Sequence, residues 1–120
     1  MREYFEEDFP YLDIHDMHLE LREIQGTHEE IVIDKAKTAM KLMDYPVLVE
    51  DSSLEIKSYG GMPGPYIKEF IQQLKPEGVY KMAAAYEDRT AIARCTFCLN
   101  LDKYLKVHKF TGEVEGIPLL

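Results

Sequence analysis

Two adjacent acids, Glu50 and Asp51, follow directly on the apolar run Pro46-Val47-Leu48-Val49 and precede two hydroxyls, Ser52 and Ser53. The run is short and rich in β-branched residues, which predicts a buried strand. Acids at the end of such a strand fall at the rim of a sheet, where open α/β folds place their ligands. A loop of glycines and prolines comes next, Gly60-Gly61-Met62-Pro63-Gly64-Pro65, and it can continue neither regular structure. Pro65 suits a first helical position and predicts a helix over residues 66–74. Acid-tipped strand, glycine-rich loop and helix start together could hold a metal and a phosphate. Spacing alone does not assign them.

Other residue types with chemical potential are weaker signals. Glu23 sits on a connection just before Gly26, and surface acids are common. Lys35, Lys37 and Lys41 share one predicted helix, where the ordinary reading is a solvated face with acids nearby as pair partners. His15 and His18 are three apart in a predicted strand and receive no role. Cys95 and Cys98 form a C-x-x-C spacing, but inside a predicted strand that spacing points them to opposite faces. Neither a redox pair nor half a zinc site fits well.

The elements that must position these residues follow from periodicity. Residues 9–21 alternate imperfectly and predict a strand with one wet face. Thr27 and Glu30 have capping-box spacing, and Val32, Ile33, Ala36, Ala39, Met40 and Met43 recur at helical intervals over residues 29–43. A second short helix is expected over residues 76–85, a strand over 90–99, a turn over 101–104 and an antiparallel return strand over 105–114. The order strand, helix, strand, helix, helix, strand, strand indicates an α/β or α+β fold around a mixed sheet.

Composition sets the outer bounds. At 120 residues the chain is one domain at most. Apolar residues at 46% and charged residues at 30% describe an ordinary globular chain rather than a disordered one. A net charge of -8 argues against non-specific binding to nucleic acid or acidic membranes. No apolar run is long enough to span a bilayer, and the acidic start of the chain lacks a secretory stretch, so a cytoplasmic location is expected.

The segments VLVEDSSLEI, GGMPGPYIKEFIQQLKPEGVYKM and YEDRTAIARCTFCL, preceded by LREIQG, an acidic helix start and KA, closely resemble the inosine triphosphate pyrophosphatase family. The likeness runs over about residues 9–116. It implies a two-lobe α/β fold with a central sheet flanked by helices, a homodimer, and Mg²⁺ as cofactor, with Mn²⁺ as a substitute. The implied reaction is hydrolysis of nucleoside triphosphates bearing deaminated purines, such as ITP, dITP and XTP, to the monophosphate and pyrophosphate. By the same resemblance Glu23 binds metal, Asp51 binds metal or activates the attacking water, Ser52 lies at the nucleotide, and Lys35 and Lys68 contact phosphate. Glu50 could take one of the roles given to Asp51.

Two parts of the family pattern are not in this sequence. One is a first strand leading into a T/S-x-N-x-x-K loop that cradles the triphosphate. The other is a later segment, of GWDP type and ending in S-H-R, that reads the base. The expectation is therefore one domain carrying the metal centre, with an unpaired sheet edge where the first strand would lie. Two further functions fit the same residues: a non-catalytic module acting by dimerisation or protein interaction, and a metal-dependent phosphohydrolase with relaxed substrate choice.

Overall fold

A computed structural model describes residues 13–15, 19–102 and 106–119. Its first helix, α1 (His28–Met43), starts where the capping box predicts. Glu30 N–H donates to Thr27 Oγ1 at 3.1 Å, and Thr27 N–H donates to Glu30 Oε1 at 3.3 Å. Asp44 closes the helix in the left-handed region at φ 54°, its N–H bonded to the Met40 carbonyl. Ile31, Val32, Ala36, Ala39 and Met40 form the buried stripe.

The strand that follows corrects the expectation of acids at a strand end. β1 (Val47–Ile56) runs for ten residues, straight through Glu50, Asp51, Ser52 and Ser53. Every residue from Val47 to Ile56 is paired with a residue of β3 (Ala91–Asn100), from Val47 opposite Asn100 to Ile56 opposite Ala91. Continuous backbone pairing carries the polar residues along, so the acids lie mid-strand. A 3-10 turn (Lys57–Tyr59) and Gly60 and Gly61, at φ 66° and 95°, then reverse the chain. This lets the two-residue β2 (Pro63–Gly64) pair with Leu54 and Glu55.

Helix α2 (Ile67–Ala84) contains one non-helical residue, Lys75, at φ 64° and ψ 166°. Pro76 causes the break, because its ring disfavours the helical region for the residue before it. The two helices expected on either side of that point are thus two halves joined by a kink. β3 then pairs antiparallel with β4 (His108–Gly116) to complete the order β2-β1-β3-β4. The α/β class holds, and all pairings among the described residues are antiparallel. The expected turn over 101–104 and the start of the return strand fall partly outside the described residues. So does most of the strand expected over 9–21, including His18; residues 13–15 and 19–21 carry no regular structure.

The helices cover opposite faces at opposite ends of the sheet. Val32 and Ala36 of α1 pack on Cys98, with Ile33, Val49 and Val107 around them. Val79 and Ala83 of α2 pack on Ile56 and Ala91, with Leu54, Ile67 and Phe70. Val49 has odd parity on β1 and Leu54 and Ile56 even, so the two cores lie on different faces. Between them the middle of β1 is left to polar residues. Across this gap Gly26 N–H donates to the Tyr66 hydroxyl at 3.2 Å, linking the approach to α1 with the start of α2.

Candidate active site

Asp51 shares the parity of Val49 and so faces α1. Two turns into that helix, Lys35 reaches back across the strand. Its Nζ lies 3.1 Å from Asp51 Oδ1 and 3.1 Å from Glu23 Oε1. Glu23 is held in place from both sides along the chain. Arg22 Nη2 pairs with Asp34 Oδ1 on α1 at 3.2 Å, and Gly26 is tied to Tyr66. Three residues from three segments thus meet around one ammonium group.

The environment of Lys35 is nearly closed, with 14% of its side chain exposed and 11% of that of Asp51. Burial alone would lower the Lys35 pKa, but hydrogen bonds and attraction from Asp51 and Glu23 outweigh it and hold the group above its ordinary value. On the far side of Asp51 stands His28, a residue with no predicted role. Its Nδ1 is 3.3 Å from Asp51 Oδ2, and its Nε2 is 2.7 Å from Thr96 Oγ1, which lies 2.9 Å from Thr111 Oγ1. A sequence signal for His28 existed: it stands four residues before Val32 and seven before Lys35, on the inward stripe of α1.

Ser52 and Glu50 alternate to the other side of the strand. There the Ser52 hydroxyl donates to Glu50 Oε1 at 2.7 Å, and the Cys95 thiol approaches the same oxygen at 3.6 Å. This separates the two acids that the sequence left interchangeable: Asp51 faces Lys35, and Glu50 is engaged by Ser52. Lys68, in the first turn of α2, is exposed and makes no ion pair among the described residues. A cleft of about 220 Å³ lies at the β1 edge and is lined by Glu23, Lys35, Glu50, Asp51, Ser52 and Lys68, closed by Pro65 and Ile67. All five nominated residues therefore border one space, although Ser52 directs its hydroxyl at Glu50 rather than Asp51.

A larger cavity of about 580 Å³ adjoins it beyond His28, walled in part by Ser53, Arg94 and Glu113. There Arg94 is engaged by Glu55 at 3.3 Å and Glu113 at 3.0 Å. The cysteines stand on opposite faces of β3 as free thiols, Cys98 buried and Cys95 half-buried, and burial pushes both pKa values up.

The donor set suits a hard divalent cation. Glu23 Oε1 and Asp51 Oδ1 already face a common positive charge, and Asp51 Oδ2 is buried without a hydrogen bond. Mg²⁺ takes one or two carboxylates and completes its shell with water and phosphate oxygens. Among the described residues, no group of three or more His, Cys, Asp or Glu side chains is arranged to hold a metal ion, so Glu23 and Asp51 would need water and phosphate oxygens to complete the shell.

The model of the Ham1 family matches residues 1–118. The chain belongs to the Ham1 family. It is 48% identical over 107 residues to an inosine triphosphate pyrophosphatase of Neurospora crassa, covering 89% of this chain and 56% of that protein. It is 45% identical over 100 residues to the Candida albicans protein of the same name, covering 82% of this chain and 48% of the relative. This Ham1 chain spans about half the length of the curated relatives it matches. Its fold is shared with a HAM1 protein from Coxiella burnetii at TM-score 0.79 and 22% identity, covering 96% of this chain and 66% of that one. Among the described residues of this Ham1 chain, no helix is long and apolar enough to cross a membrane.

Proposed function

We propose that the chain carries the metal and phosphate centre of a Mg²⁺-dependent nucleoside triphosphate pyrophosphatase acting on deaminated purine nucleotides. ITP, dITP and XTP are the substrates, Mn²⁺ substitutes for Mg²⁺, and the protein works as a cytoplasmic homodimer. The observation that carries this reading is the meeting of Glu23 and Asp51 on the Lys35 ammonium, each at 3.1 Å. The names of the relatives support the substrate class.

The reaction joins a water oxygen to the α-phosphorus and breaks the bridge to the β-phosphate, which leaves in pyrophosphate. Glu23 and Asp51 would hold the cation, whose contribution is to neutralise charge on the phosphate oxygens. Lys35, displaced from its carboxylates, then turns to the phosphate chain. Lys68 offers a second ammonium from the opposite wall, and both act as point charges. Asp51 accepts the proton of the attacking water, through position more than basicity. Ser52 donates at the nucleotide by rotating away from Glu50.

The test is pyrophosphate release from ITP with Mg²⁺, comparing the chain with Asp51→Asn. Equal rates would remove Asp51 from catalysis. A second reading, a non-catalytic module that pairs with another chain, draws on one feature. Among the described residues, β1 is paired on its outer side only at Leu54 and Glu55. Concentration-dependent association without pyrophosphate release at any Mg²⁺ level would favour it.

A further inference from the structure

His28 is 8% exposed and lies at the first turn of α1, against the middle of β1. Its Nδ1 and Asp51 Oδ2 are both fully buried and stand 3.3 Å apart at ion-pair distance, and neither has a hydrogen-bond partner that meets full geometry. An ionised carboxylate only accepts, so a stable approach requires a proton on Nδ1. In the neutral ring the lone pair then sits on Nε2, and the contact to Thr96 Oγ1 at 2.7 Å is a hydroxyl donating to it. Thr96 in turn accepts from Thr111 at 2.9 Å. The two threonines face each other across β3 and β4, and Thr96 faces Asp51 across β1 and β3. Sheet register therefore fixes the whole row.

We propose that His28 is a positioning residue for Asp51. It holds Oδ2 through Nδ1–H and leaves Oδ1 turned toward Lys35 and the space a cation would fill. The Thr111–Thr96 pair holds the ring in that tautomer. The proposal rests on the reading of Asp51 as a cation ligand. Histidines and carboxylates held in this way orient their partners, and losing such a contact weakens metal binding substantially.

The experiment has two arms. In the metal-free full chain, ¹⁵N shifts of the His28 ring report which nitrogen carries the proton, and Nδ1–H is expected. A ring with its lone pair on Nδ1 overturns the proposal. Thr96→Val is expected to release the ring into both tautomers, and an unchanged ring overturns the part given to the threonines. In the second arm Mn²⁺ binding is measured by electron paramagnetic resonance for the chain, His28→Asn, His28→Gln and Asp51→Asn. The Asn amide nitrogen takes the place of Nδ1, whereas that of Gln takes the place of Nε2. His28→Asn is therefore expected to bind Mn²⁺ as the parent does, and His28→Gln about tenfold more weakly. Equal loss in both, tracking their thermal stability, makes His28 a packing residue and overturns the proposal. If Asp51→Asn binds Mn²⁺ unchanged, the ligand reading fails instead, while the ring-proton measurement still judges the contact between His28 and Asp51.

Discussion

Replacing Lys35 with methionine keeps an unbranched side chain of similar volume, one atom shorter, while removing the charge that Glu23 and Asp51 share. At 3.1 Å and an effective dielectric of about 20, each contact is worth about 5 kcal/mol before any desolvation is counted. Desolvation of the buried ammonium offsets much of that, and breaking a buried pair costs about 3–5 kcal/mol in practice. Glu23 is 36% exposed and partly screened, which lowers the expected loss to about 2–4 kcal/mol. For a chain of this length, that loss lowers Tm by roughly 10 °C. The sharper expectation concerns Mg²⁺. In the parent a cation must displace the ammonium from both carboxylates, whereas in Lys35→Met they are already bare. Saturating MgCl₂ should therefore raise the Tm of the variant more than that of the parent, with KCl at matched ionic strength as the control. Equal stability of the two proteins in the absence of Mg²⁺, or equal Mg²⁺ shifts, would refute the shared-cation reasoning.

Thr27→Ala removes the hydroxyl half of the capping box and should cost about 1 kcal/mol in urea unfolding, with no change in the denaturant slope. Lys75→Gly relieves a non-glycine residue at φ 64° and ψ 166° and should stabilise by about 1 kcal/mol; a loss would mean that Lys75 contributes something its backbone does not reveal. Because the pKa of Lys35 is raised, the folded chain keeps that proton to higher pH than the unfolded chain. Its stabilisation is complete below the ordinary lysine value of 10.5 and is lost as pH rises above it. Alkaline unfolding followed by circular dichroism should show this component in the parent and lack it in Lys35→Met.

Features specified by neighbours in the chain were legible in the sequence. Thr27 with Glu30 announces α1, and the separate helices expected over 66–74 and 76–85 leave a gap at residue 75, where the structure places the kink. The full length of β1 is not legible locally, because Glu50, Asp51, Ser52 and Ser53 look like the end of a strand. What extends it is pairing with residues 94–97, more than forty positions away. The same distance hid the site. Taken by themselves, Glu23 was an ordinary surface acid and Lys35 part of a solvated face. Only the family resemblance named them, and only the crossing of α1 over β1 brings them to Asp51. His28 carries no local mark beyond its place on the inward stripe of α1, because its partners, Asp51 and Thr96, come from strands later in the chain.

The placement of the two helices has a mechanical consequence. Each core pins one end of β1, on opposite faces, and between them Lys35 and His28 of α1 meet the strand at Asp51. The direction of that carboxylate is thus set by two polar side chains and by the rung to Thr96, and not by apolar packing.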